Sequence, residues 1–179
     1  MTTKVPAGTW VIDPSHSEVG FTARHLLVSK VRGFFEKFSG TITVADEFTA
    51  STVEATIDAA SVNTRDENRD NHIRTNDFFG VEEFPTWKFT STGLRSQGSD
   101  YALDGNLTIK GVTKPITLAL EVLGVTKNPY GINTASFSAN TKVNRKDFGI
   151  EWNAPLEAGG FLVGDDVTLN LELEASLQA

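Results

Sequence analysis

The chain contains no cysteine among its 179 residues. Disulfides, thiolate metal sites and thiol redox chemistry are therefore excluded. Positive charge is also scarce: 16 Lys and Arg against 23 Asp and Glu leave a formal net charge of -7. That balance argues against nucleic acid as a partner and against a sequence-independent grip on an anionic membrane, although a local basic spot stays open. No run is apolar for long enough to span a bilayer, and Met1 to Trp10 lacks the apolar segment of a secretory signal. The expectation is a protein with no integral membrane segment and a cytoplasmic address. Internal repeats and low-complexity stretches are missing as well, so residues 1–179 read as one domain.

What is present is alternation. Val167, Leu169, Leu171, Leu173 and Ala175 alternate with polar residues, the mark of a strand with one buried face. The same period of two runs through Val53, Ala55, Ile57 and Ala59, through Tyr101, Leu103, Leu107 and Ile109, through Val19, Phe21 and Ala23, and through Ala135, Phe137, Ala139 and Val143. Turn residues separate these runs at Ala7-Gly8, Ser39-Gly40, Gly98-Ser99-Asp100, Asn128-Pro129-Tyr130-Gly131 and Gly159-Gly160. About eight antiparallel strands follow, which fits a barrel or a sandwich. A barrel of that size is either filled by side chains or holds one small ligand. The small inward residues Ala23, Ala55, Ala59, Gly105, Ala135 and Ala139 favour a cavity, whereas Phe21, Trp87, Phe89, Phe137 and Trp152 favour a filled core. Ile116 to Val125 breaks the rule, with Ile116, Leu118, Leu120 and Val122 on one face and Ala119, Leu123 and Val125 on the other. A strand apolar on both faces needs a second cover, and a homodimer contact is the expectation.

Ser61 to Phe79 is the exception to the β pattern. Thr64 as N-cap with Glu67 three residues later forms a capping box, and Asp66 and Glu67 suit the positive end of the helix dipole. Asp70 with Arg74, and Asn68 with His72, lie four apart and share a face. The spacing predicts one helix near residues 65–77, either a lid on the β body or a solvated connector.

The only histidines are His16, His25 and His72, so a three-histidine metal enzyme is the sharpest catalytic alternative. Nine residues of extended chain between His16 and His25 span roughly 30 Å, at about 3.3 Å per residue, which no single ion bridges. In Ser15-His16, neighbours on an extended chain point to opposite faces, and there is no nucleophile elbow. The acid pairs Glu82-Glu83 and Asp165-Asp166 read as solvated. No cofactor and no metal is implied.

Several ordered blocks carry a resemblance: Trp10-Val-Ile-Asp-Pro-Ser-His-Ser17, Val31-Arg-Gly-Phe34, Ser61-Val-Asn-Thr64, Arg69-Asp-Asn-His-Ile73, Asp77-Phe-Phe79, Gly105-Asn-Leu-Thr-Ile-Lys-Gly-Val-Thr113, Asn144-Arg-Lys-Asp-Phe-Gly149 and Val163-Gly-Asp-Asp-Val167. From about Trp10 to Ala175 the chain resembles the YceI-like family of polyisoprenoid-binding, lipocalin-like proteins. The resemblance implies an all-β, antiparallel eight-stranded barrel around an apolar pore, flanked by the helix. It also implies non-enzymatic binding, storage or transport of an isoprenoid, quinone-like or fatty lipid, often by dimers. On that basis the pore wall is expected from Phe21, Val53, Ala55, Ile57, Trp87, Phe89, Tyr101, Leu103, Leu107, Phe137, Val167, Leu169 and Leu171. Ile73, Phe78, Phe79, Phe148 and Trp152 are expected at the ends. His25, Arg69, Asp70, His72 and Arg74 are candidates for meeting a headgroup or for anchoring the helix. A metal enzyme using the histidines and a filled-core module working by protein contact are the alternatives.

Overall fold

The computed structural model describes residues 4–179. Eleven strand segments form one antiparallel sheet: β1 (Gly8–Ile12), β2 (Glu18–His25), β3 (Ser29–Phe35), β4 (Phe38–Val44), β5 (Thr52–Asp58), β6 (Val62–Asn63), β7 (Thr86–Gln97), β8 (Asp100–Ile109), β9 (Val112–Lys127), β10 (Asn133–Asn144) and β11 (Val163–Leu177). Two of the strands are broken. β1 and β2 are halves of one strand interrupted at Pro14–His16, and both pair with β11, through Trp10 opposite Leu177 and Phe21 opposite Leu169. β3 and β4 are likewise halves of the next strand, paired with β2 and β1 respectively. With β6 a two-residue bridge onto β3, the result is an up-and-down barrel of eight strands closed between β11 and the first strand. Closure removes the free edges that would otherwise template aggregation.

The alternation decides which face turns inward. In β10, Ala135, Phe137, Ala139 and Val143 are buried, and opposite them in β11 stand Ala175, Leu173, Leu171 and Val167. The β8 to β9 connection is the tight turn Lys110-Gly111, with φ of 50° and 75°. Positive φ at both central residues matches the twist of the paired strands.

β9 departs from the sequence reading. A bulge between Ser136 and Phe137 shifts the register, so that Val122 faces Phe137 while Gly124 faces Ser136. One extra residue reverses the side-chain alternation. Val125 therefore packs inward beside Val122 and Leu120, and the outward apolar face shrinks to Ala119 and the half-exposed Leu123, with Glu121 between them.

The helix α1 (Glu67–Arg74) is present but is capped differently. Arg65 has φ 66°, which breaks the chain between Thr64 and the helix. Asp66 is the N-cap, its carboxylate accepting from Arg69 N at 3.0 Å. Thr64 instead donates its N–H and hydroxyl to Asp70 Oδ1. The expected pairs along the helix are replaced by tertiary ones: Arg74 donates to Ala60 O and Val62 O, and His72 Nε2 meets Asp77 Oδ2 at 2.9 Å. No helix among the described residues is long and apolar enough to cross a membrane.

Candidate functional site: a two-chambered barrel interior

Small inward residues open the barrel only where no ring occupies their space. A Cβ on Gly105 would run into the ring of Phe89, so that gap is filled. Ala55 and Ala139, by contrast, border a cavity of about 130 Å³. Its wall includes Ile42, Phe48, Val53, Ile57, Phe89, Leu103, Leu107, Leu118, Phe137 and Leu171, and no charged side chain. A second cluster around Val5, Trp10, Ala135 and Ala175 packs across the far end of the barrel.

A second cavity of about 220 Å³ lies between the barrel and α1. Phe21, Ile73, Phe78, Phe79, Phe148, Trp152 and Val167 border it, together with Ile109, Val143, Ile150 and Leu162. Arg24, His25, Arg69, His72 and Arg145 also border it and no carboxylate does, yet the surface exposed to the cavity is almost wholly apolar. All the residues expected at the two ends of the pore thus gather at one end.

Trp87 and Leu169 border both chambers, and an aromatic partition stands at that level. Trp87 meets Phe35 edge to face at a centroid distance of 4.8 Å and Phe79 at 4.9 Å. Phe35 and Phe79 stack at 6.1 Å, and Phe21 leans on Phe35 at 5.8 Å. Such pairs add about 0.5 to 1.5 kcal/mol each beyond their buried area. Trp87 Nε1 is buried with no hydrogen-bond partner among the described residues. At the α1 end, Trp152, His72 and Phe78 form a second aromatic group, with His72 and Trp152 4.8 Å apart and nearly perpendicular.

Of the expected wall residues, all but Tyr101 border one chamber or the other. Tyr101 lies against Phe48 instead, edge to face at 4.8 Å. The headgroup candidates divide. His25, Arg69 and His72 border the chamber under α1, whereas Asp70 and Arg74 do not. Arg69 is also committed to structure, donating to Thr64 Oγ1 at 2.8 Å and Thr64 O at 2.7 Å.

Arg145 carried no role in the sequence reading. It is buried, and donates to Gly164 O, Ile150 O and Trp152 O at 2.9 Å each, tying the segment before β11 to the barrel. Burial lowers its pKa, opposed by Asp165 nearby. A run of charge beside Phe148 gives no warning that one arginine folds inward.

The break between β1 and β2 builds a polar cluster on the outside. Because Pro14–His16 is a turn of 3-10 helix rather than extended chain, Ser15 and His16 do come together, correcting the expectation that they point apart. Ser15 Oγ lies 2.6 Å from Asp13 Oδ1 and 3.1 Å from His16 Nδ1, and the same Nδ1 lies 2.7 Å from Asp13 Oδ2. Both partners address one ring nitrogen, so the arrangement cannot relay a proton from Ser15 through His16 to Asp13. With Glu174 these residues form the one group of three or more metal-capable donors among the described residues; it contains a single histidine, and His25 and His72 are elsewhere.

Comparison with known proteins places this architecture. The YceI-like domain matches residues 10–175. The UPF0312 protein SAS2572 of Staphylococcus aureus (strain MSSA476) is 36% identical over 170 residues, covering 94% of this chain and 97% of that one. Among solved structures, the Campylobacter jejuni YCEI protein is 34% identical with a TM-score of 0.72, over 87% of this chain and 90% of that one. A polyisoprenoid binding domain from Saccharophagus degradans shares the fold at 17% identity, with a TM-score of 0.72 over 97% and 100% of the two chains. The chain belongs to the YceI-like family.

Proposed function

We propose that this protein binds, and stores or carries, a long-chain isoprenoid or a related quinone-like or fatty amphiphile, without performing chemistry on it. The observation that carries this reading is the apolar interior: a chamber deep in the barrel and, past one aromatic partition, a second chamber whose surface is also almost wholly apolar, with His25, Arg69 and His72 at its border and no acid among its bordering residues. A hydrocarbon tail suits the first. A phosphate, carboxylate or carbonyl headgroup suits the second, where His25, Arg69 and His72 are the candidates to meet it. Each tail CH₂ removed from water contributes about 0.8 kcal/mol, so affinity comes chiefly from the wall. The shared fold of the polyisoprenoid binding domain from Saccharophagus degradans is consistent with this cargo. Phe79 follows α1 within the same partition, so movement of the helix is the natural way to join the chambers and admit a longer tail.

The filled-core alternative has less support, since both chambers are open space, and the bulge in β9 leaves little apolar surface at Ile116 to Val125 for a homodimer. Solvent extraction of the purified protein, with mass spectrometry of the extract, tests the proposal. A stoichiometric isoprenoid, quinone or fatty molecule is the expected result. An empty protein that also shows no saturable uptake of added polyprenyl lipid would refute the carrier reading.

A further inference from the structure

The barrel end that holds α1 also carries the most conspicuous apolar tip on the surface. In the turn between β2 and β3, Leu26, Leu27 and Val28 are 44%, 59% and 83% exposed, and Phe161 beside them is 58% exposed. The two loops are joined. Leu26 N donates to Leu162 O at 3.0 Å, and Leu27 lies where a Cβ on Gly160 would touch it. Leu26 and Leu27 take φ of 54° and 66°, a backbone region that bulky residues rarely adopt. A turn of Asn and Gly would connect the strands without that strain, so two leucines here favour what their side chains touch over ease of folding.

Below the tip, the outer face of β2, β3 and β10 carries Arg24, Lys30, Arg32 and Lys142, all exposed and bordering one shallow groove. Arg24 stands opposite Lys30 in the sheet register, and Arg32 opposite Thr22. Asp165 and Asp166 share the groove, but Asp165 is held by Lys146 at 3.3 Å and Arg145 at 3.7 Å. None of the four cations forms an ion pair among the described residues. In a chain of net charge -7, this is a local reversal of sign.

We propose that this end of the barrel docks on an anionic lipid bilayer, with Leu27, Val28 and Phe161 entering the interface and Arg24, Lys30, Arg32 and Lys142 meeting headgroup phosphates. An apolar tip alone binds weakly, and cations alone are screened by salt; together they form a two-part peripheral anchor. The position supplies a purpose. Arg24, His25 and Leu162 border the chamber under α1 as well, so cargo would pass between bilayer and barrel without crossing water. That purpose rests on the carrier reading, whereas the docking surface stands on its own residues.

The test is flotation of the full chain with vesicles of phosphatidylcholine, with and without phosphatidylglycerol. Binding is expected only with the anionic lipid and is expected to be released by salt. Val28→Ser with Phe161→Ser, and separately Lys30→Glu with Arg32→Glu, should each lower the bound fraction roughly tenfold or more. Their circular dichroism and their uptake of polyprenyl lipid from detergent should be unchanged, which separates this proposal from the carrier reading. Absence of vesicle binding, or binding equal on neutral vesicles and indifferent to the charge reversal, would overturn it. So would a sedimentation dimer that the tip substitutions dissociate, which would assign the tip to a second copy of the chain.

Discussion

Thr64 donates its backbone N–H at 2.8 Å and its hydroxyl at 2.5 Å to a single oxygen, Oδ1 of Asp70, one turn inside α1. Arg69 closes the unit by donating to the hydroxyl and carbonyl oxygens of Thr64. Asp70 is buried, so the carboxylate replaces lost hydration with these bonds. This anchor fastens the helix over the chamber between it and the barrel. Asp70→Ala is expected to destabilise the fold by about 2 to 3 kcal/mol, because two donors lose a charged acceptor. Urea unfolding measures the loss, and Asp70→Asn, which keeps one acceptor oxygen, should lose less.

Ala55 and Ala139 border the deep chamber from β5 and β10. Replacing either with Trp should occupy that space and reduce uptake of polyprenyl lipid severalfold, at a stability cost of about 1 to 3 kcal/mol for overpacking. Uptake measured by fluorescence displacement checks this. Unchanged uptake in both variants, with folding intact, would show that cargo does not enter the deep chamber.

Trp87 offers a buried N–H with no acceptor in the partition. Trp87→Phe removes an unsatisfied donor while keeping an aromatic ring, so the empty protein should lose less stability than a large core truncation of the usual few kcal/mol. If a quinone carbonyl reaches this level, the variant should weaken quinone binding by roughly two- to tenfold, the worth of one neutral hydrogen bond, and leave a hydrocarbon isoprenoid unaffected. Parallel titrations with the two ligands distinguish the cases. An equal change for both would mean that only shape matters there.

Two exposed clusters set opposite pH dependences. On the outer face of β7 and β8, Arg95 donates two hydrogen bonds to Asp104 and Thr117 a third, which together hold the Asp104 pKa at about 2, below the ordinary 3.8. A depressed carboxylate stabilises the fold fully above its unfolded value, and that contribution is lost as the pH falls from about 4 through about 2. Asp104→Asn should flatten the acid limb of a plot of Tm against pH. The hydrogen bond that the His16 ring donates to the Asp13 carboxylate raises the pKa of His16 above 6.5. Its contribution is complete below 6.5 and disappears as the pH rises through the raised value. NMR titration of the His16 ring should show this shift, and Asp13→Asn should remove it.

The strands and their inward faces were legible because a barrel buries one face of every strand, and a period of two needs no knowledge of the partner. For the same reason the odd-numbered residues of β5, β8 and β11 could be assigned to the interior from sequence; Tyr101, at a strand end, packs on the core through Phe48 without bordering a chamber. The helix was legible in kind but not in detail: Thr64, Asp66 and Asp70 all satisfy capping or pairing rules, and only the left-handed Arg65 decides which of them face one another.

Other features had no local signal. The bulge that turns Val125 inward depends on how β9 pairs with β10, and the inward fold of Arg145 depends on carbonyls from Ile150, Trp152 and Gly164. The basic groove joins positions 24, 30, 32 and 142, which are scattered through an acidic chain. The sequence by itself determined antiparallel strands with one apolar face each, since hydrophobic alternation is a property of each strand alone, and its family resemblance chose the barrel over the sandwich. Only the tertiary structure decided that the strands close on one another, that the interior is divided by Trp87, Phe35 and Phe79, and that the exposed apolar tip stands at the end where His25, Arg69 and His72 border the chamber. Those features depend on which side chains meet across distant strands, and strand periodicity carries no information about such meetings.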